Sequence, residues 1–368
     1  MEQELFYMMW NSKKFAVMTA LSTVAITCLL NAADDAQMRN LENRVSALEG
    51  RRNAGGIINP PARPTQKDDW GAYVTIDPLL WQAHVNGLGF AVKTNSSGVP
   101  TRVRNLHFDW DWGFRAGLGL NLPYDGWDLF LDWTRVHNHA HKTTHADIGE
   151  SLLPSKVNAS AILSASAQTS EGRWRSKLNI LDLDLGREFF VSKWLTLKPF
   201  AGMRTMWLRQ KFNANYSNTN DPTSVFAHQK CKYWGLGIHT GLNTQWGLGE
   251  GWSIFANTAF STLYGFFGVR HKDASFNSAT SVTKVTFDER SHERIGRVIN
   301  DNMLGLRYDY MFCDDRYHFG VDFYWELHMF FGQNQFLLNV DDTAKGIFIA
   351  NQGDFTAQGF GVRLRFDF

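Results

Sequence analysis

Beyond residue 69 the chain is dominated by alternation of apolar and polar positions with a period of two. The clearest run is 106–120 (LHFDWDWGFRAGLGL). Leu106, Phe108, Trp110, Trp112, Phe114, Ala116, Leu118 and Leu120 share one side, opposite His107, Asp109, Asp111, Gly113, Arg115, Gly117 and Gly119. Successive strand side chains point to opposite faces, so this run predicts an extended strand with one apolar and one polar surface. Its 15 residues exceed the usual strand of a soluble domain, whereas a tilted membrane strand with an extramembrane extension needs that length.

The same pattern recurs along the chain. Trp127, Leu129, Leu131 and Trp133 oppose Asp128, Asp132 and Thr134; Phe319, Val321, Phe323, Trp325 and Leu327 oppose Asp322, Tyr324, Glu326 and His328. Leu304, Leu306, Tyr308 and Tyr310 face away from Arg307 and Asp309, and similar runs cover 70–85 and 252–266. Two stretches, 177–187 and 195–207 (which holds Arg204), are less regular, and a bulge near Ile180 is expected to change the phase of the first. Short turns are expected at 121–126, 190–193, 245–251 and 313–316, and long polar connections at 86–105, 138–171, 213–229, 271–293 and 332–353. Short and long alternate strictly. That is the signature of a transmembrane antiparallel up-and-down β-barrel, all-β, with about ten strands and an accepted range of eight to fourteen.

Upstream of the barrel at 70–368 the pattern changes three times. Lys13 and Lys14 precede a 16-residue apolar run at 15–30 that ends at Asn31, Ala32 and Ala33, which describes a signal peptide over 1–33. In 34–52, Met38, Leu41, Val45 and Leu48 form a short heptad seam. Two readings stand for it: a trimerising coiled coil, making the protein a homo-trimer, or a lone periplasmic amphipathic helix. Gly55, Gly56, Pro60, Pro61 and Pro64 make 53–69 a linker.

Composition narrows the function. Aromatics are 14% of residues, the net charge is +1 and mean hydropathy is −0.30, which argues against disorder, a helical membrane protein or a nucleic-acid partner. Cys28, Cys231 and Cys313 are too few for a disulfide scaffold. The chain ends on Phe360, Val362, Leu364, Phe366 and Phe368 at alternate positions, resembling the signal read by the bacterial barrel-assembly machinery.

The stretches GFRAGLGLNLPYDGWDLFLDWTRVH (113–137) and LTLKPFAGMRTMW (195–207), with the aromatic terminus, resemble the Legionella-type and chlamydia-related major outer membrane protein family of pore-forming barrels. The resemblance implies an integral barrel of the Gram-negative outer membrane with porin activity. This chain is poorer in cysteine than the disulfide-linked chlamydial envelope proteins.

Candidate chemistry is sparse. His137, His139 and His141 alternate, with His145 four residues on, and would share a strand face as metal ligands can. No cysteine or carboxylate has convincing spacing beside them, so neither a metal nor any other cofactor is expected. Asp109, Asp111, Asp128 and Asp132 could supply an acid pair to a histidine, but lipid drives charge toward a barrel lumen in any case. No catalytic motif accompanies them, and no enzyme is expected. The leading expectation is passive diffusion of small hydrophilic solutes past Asp109, Asp111, Arg115, Asp128, Asp132, Arg204, Arg307, Asp322 and Glu326 as lumen-lining residues. The alternative is a non-conducting structural or adhesive surface protein that meets outer-membrane lipid through its wall and host-surface ligands through its loops.

Overall fold

A computed structural model describes residues 62, 66, 71–122, 125–157, 166–219, 221–339, 348–350 and 353–368, the side chains of 338, 339 and 348–350 excepted. The expected signal peptide, heptad seam and almost all of the linker lie outside these residues. Among the described residues there is no helix.

Ten antiparallel strands form the barrel: β1 (Ala72–Val85), β2 (Trp110–Asn121), β3 (Trp127–His145), β4 (Thr169–Arg187), β5 (Leu195–Asn218), β6 (Asp221–Gly249), β7 (Trp252–Asn277), β8 (Val282–Phe312), β9 (Tyr317–Asn334) and β10 (Gly353–Asp367). Each pairs with its chain neighbours, and β1 with β10 closes the ring. Closure leaves no unsatisfied ladder at membrane depth, which a bilayer demands.

Four tight connections gather at one end. Glu250 and Gly251, with φ of 51° and 82°, form the turn between β6 and β7, and Asp125 and Gly126, at 51° and 71°, that between β2 and β3. Paired positive φ values are those of hairpin turns whose twist matches the strands. Both chain ends of the barrel lie at this turn end, where the Phe368 N–H donates to the Ala72 carbonyl.

Three expectations about connections are corrected. The stretches 213–229 and 271–293 are not loops. Strands β5 and β6 continue to Asn218 and from Asp221, while β7 and β8 continue to Asn277 and from Val282. β6 likewise runs to Gly249 through most of the turn expected at 245–251. Nor is there a bulge at Ile180, for β4 pairs without register shift through it on both sides.

What changes at Ile180 is the surroundings, not the backbone. On β4 the inward positions run Ser170, Gly172, Trp174, Ser176, Leu178, Ile180 and then Asp182; the outward ones run Arg173, Arg175, Lys177, Asn179 and then Leu181, Leu183, Leu185. Toward the turns the wall is apolar outside and charged inside. Toward the loops it is polar outside and largely apolar inside. An outer face in lipid and then in water produces that reversal without any break in the strand.

The outer apolar face is bounded by aromatic rows. Trp207, Trp234 and Phe266 are register neighbours on β5, β6 and β7, the last two stacked at 5.5 Å. At the turn end Trp252 packs on Tyr308 at 4.9 Å, and Trp246 lies twelve residues from Trp234 on the same strand. At ~3.3 Å per residue and a ~45° tilt, that separation spans roughly 28 Å, the hydrocarbon thickness of a bilayer.

Candidate functional site in the barrel lumen

Inward side chains at membrane depth form one ionic network that crosses the lumen. On β2, Arg115 meets Glu326 of β9 at 3.0 Å and Asp77 of β1 at 3.5 Å; its Nε donates to Thr134 at 2.9 Å. Glu326 contacts His328 at 3.1 Å, and His328 contacts Asp301 of β8 at 2.7 Å. Asp301 pairs with Arg204 of β5, whose guanidinium also makes two 2.7 Å bonds to Asp182 of β4. Since β2 is not adjacent to β9, nor β5 to β8, these contacts bridge the interior rather than run along the wall.

A second cluster lies nearer the turns. Asp128 accepts from the Tyr73 hydroxyl at 2.9 Å and from Lys198 at 2.5 Å. Arg307 makes bidentate bonds to Asp322 at 2.7 and 2.8 Å, the geometry that fixes a guanidinium against a carboxylate. The space left between the two groups is a cavity of about 150 Å³ bordered by Arg115, Asp132, Asp182, Lys198 and Arg204, with a neighbouring one of about 100 Å³ beside Tyr73 and Arg365. At the roughly 10–15 Å³ that one water needs, they have room for about ten and about seven water molecules.

Toward the loops the lumen is closed by an apolar layer. Trp174 of β4 touches Phe355 of β10, ring centroids 6.0 Å apart, from well round the circumference, and Phe212 of β5 faces Phe336 at 6.2 Å. Trp81, Trp174, Phe212 and Phe355 have no exposed surface. Above them sits a cap in which Ala91–Thr94 pairs on one side with Pro100–Arg104 and on the other with Ser151–Pro154. Its Phe90 and Leu152 are fully buried, and the Phe90 carbonyl accepts from the Tyr216 hydroxyl of β5 at 2.5 Å. Gly172 of β4 makes the space: a Cβ there would lie 2.8 Å from Leu106 Cδ2 and 2.9 Å from the Phe90 ring.

Of the lumen residues expected from sequence, Arg115, Asp128, Asp132, Arg204, Arg307, Asp322 and Glu326 are placed inside, in or beside these networks. Asp109 is a correction. Phe108 pairs with Ala140 but Gly113 with Val136, so four residues of the β2 side oppose three of β3. The extra residue turns Asp109 outward, where its carboxylate is 3.5 Å from both His139 and His141. Asp111 stays in the wall beside the irregularity, accepting the His139 backbone N–H at 2.8 Å and pairing with its ring. This Asp–His group lies on the convex outer wall, whereas a positioned acid–base pair lines a concavity. Among the described residues no set of three or more such side chains is arranged to hold a metal ion. Sequence reasoning passed over Asp77, Asp182 and Asp301, and it set His328 and Arg363 on polar strand faces without naming them as lumen residues. The visible signal for one of them was the LDLDLG alternation at 181–186, whose inward members are Asp182 and Asp184.

The sequence profile described as Legionella pneumophila major outer membrane protein precursor matches residues 62–368, the whole barrel. The chain belongs to this family. Its place is the outer membrane of a Gram-negative bacterium, where barrels keep short turns on the periplasmic side and long hairpins outside the cell. No curated protein sequence matches the chain. Among solved structures it is similar to the outer membrane protease OmpT of Escherichia coli (9% identity, 83% of this chain and 99% of that chain, TM-score 0.42). It is also similar to a major outer membrane protein of Thermus thermophilus (9% identity, 80% and 98%, TM-score 0.31) and a Pseudomonas aeruginosa FadL homologue (11%, 88% and 98%, TM-score 0.29). Those likenesses are between barrels, and no activity is carried over from them.

Proposed function

We propose that this family member is a structural surface barrel whose lumen is closed at rest, acting through its outer wall and its extracellular hairpins. One observation carries the reading: side chains from distant strands meet across the lumen, with Trp174 against Phe355 in a layer that has no exposed surface. A diffusion pore needs a continuous aqueous path, and an apolar constriction packed to contact excludes water as well as solute.

A second reading, the porin expected from the family resemblance, is favoured by the charged and partly hydrated space beneath that layer. Conduction would require the cap and the layer below it to move away from β4, β5 and β10. Planar-bilayer recordings of the refolded barrel separate the two readings. A closed scaffold gives a flat trace under an applied potential in concentrated KCl. Reproducible unitary steps from the unmodified chain would overturn it in favour of the porin.

A further inference from the structure

The outer wall of β3 to β8 changes character abruptly above the upper aromatic row. Register places Asn179, Trp207, Trp234, Phe266 and Arg294 side by side on the outer face. Two residues further from the membrane the neighbours are His137, Lys177, Arg209, Lys232, Gly268 and His292. The next rung is His139, Arg175, Lys211, Lys230, Arg270 and Arg290. Neither rung contains a carboxylate. Of their eight lysines and arginines, only Arg270 has an acidic partner among the described residues, Asp288 at 2.5 Å.

Directly opposed side chains on neighbouring strands have Cβ atoms about 4.5–5.5 Å apart, and like charges there destabilise the sheet. Lys177 opposes Arg209, Arg209 opposes Lys232, Arg175 opposes Lys211, and Lys211 opposes Lys230. A wall that stacks cations this way without neutralising them is built for an anion from outside. The feature covers one sector. Followed the other way round from His139, the register passes Trp110, Gln82, Gln358 and Leu327 on β2, β1, β10 and β9, with no lysine or arginine on the outside.

Height decides the partner. Two residues along a strand tilted by ~45° rise roughly 5 Å, so on each strand the two rung residues lie about 5 and 10 Å above that strand's own member of the row. The polar layer of one leaflet is itself about 5–8 Å thick, so the lower rung lies within it and the upper rung just beyond it, in reach through its long, flexible side chains. We propose that the outer faces of β3 to β8 bind the phosphate-bearing headgroups of outer-leaflet lipid, with Arg175, Lys177, Arg209 and Lys211 as the central square of cations.

The test uses the full barrel refolded in non-ionic detergent, probed with diphosphoryl lipid A and read by native mass spectrometry as lipid retained per chain. Wild type is expected to retain lipid A, to lose it as salt rises, and to ignore phosphatidylcholine. The variant R175Q/K177Q/R209Q/K211Q should bind at least tenfold more weakly, while R175K/K177R/R209K/K211R should bind as wild type does. Both must show the heat-modifiable gel mobility of a folded barrel, a condition that exposed positions on intact strands are chosen to meet. Undiminished retention by the glutamine variant would overturn the proposal, as would loss in the charge-conserving one. So would displacement by millimolar inorganic phosphate, which would make the site one for the free anion. Heparin bound through the same four residues, with lipid A retention unchanged, would reassign the surface to a soluble sulfated polysaccharide.

Discussion

Replacing Arg115 with Met tests whether the lumen is closed to bulk water. The guanidinium lies 3.0 Å from Glu326, 3.5 Å from Asp77 and 3.5 Å from Asp132, and also donates to Thr134 and Tyr324. Arg115, Asp77 and Glu326 have side chains at most 6% exposed. Methionine fills much of the volume and strands Asp132, whose one ion-pair partner among the described residues is Arg115, while Asp77 keeps Arg363 at 2.8 Å and Glu326 keeps His328 at 3.1 Å. Breaking a buried pair in this way costs about 3–5 kcal/mol, because the stranded charge keeps its desolvation penalty. In an open aqueous pore the same charges would be hydrated, and the loss would fall to about 0–1 kcal/mol. Urea unfolding in vesicles, followed by tryptophan fluorescence, reads the difference directly. Adding Glu326→Gln should cost less than the two single changes together, with a coupling of about 0.5–3 kcal/mol. A loss under about 1 kcal/mol for Arg115→Met, with no coupling, would refute the closed interior.

Other expectations follow from the cap and the thiols. Gly172→Ala pushes a methyl to within 2.9 Å of the Phe90 ring and should destabilise the cap by about 1–3 kcal/mol, seen as faster hydrogen exchange at residues 87–104. Unchanged exchange there would mean that the cap does not pack on β4. Lys156, buried in the cap and donating to the Gly87 carbonyl at 2.7 Å, has its pKa pushed by desolvation from 10.5 down to about 8. Between those values the unfolded cap holds a proton that the folded one has released, so stability rises with pH by about 1.4 kcal/mol per unit. Lys156→Met should therefore stabilise the cap near neutral pH, by an amount that shrinks as the pH approaches the ordinary lysine value; a pH-independent difference in protease resistance would contradict this. Cys313 is exposed in the turn between β8 and β9, whereas Cys231 is buried. A membrane-impermeant maleimide should spare intact cells and label Cys313 once the outer membrane is breached; labelling of intact cells would invert the topology.

The membrane-depth part of the barrel was legible because lipid on one side and charge on the other force a period of two. Trp127 to Trp133 and Phe319 to Leu327 show it without ambiguity. Legibility ended where the strands leave the bilayer. Residues 213–229 carry small inward side chains such as Ala214 and Ala227 against outward Asn213 and His228, so their hydropathy resembles a loop although their backbone is strand. The reversal on β4 looked like a bulge for the same reason, while the one irregularity that misplaced a site residue, at Asp109, left no mark on composition. The closed lumen and the basic rungs depend on pairings between distant segments. Nothing local in Lys177, Arg209 or Lys232 announces that they are neighbours.

Spin labels placed one at a time along β4, from Ser170 to Leu185 in a chain freed of Cys231 and Cys313, measure the central claim most directly through collision with oxygen and with a water-soluble nickel chelate. Oxygen access is expected at 181, 183 and 185, nickel access at 173, 175 and 177, and neither at 174, 178 and 180. Nickel reaching 174 and 178 would show an open aqueous lumen, and oxygen-dominated access at 173–177 would place the basic rungs among acyl chains rather than at the headgroups; either result overturns the closed barrel with its basic rungs above the hydrocarbon.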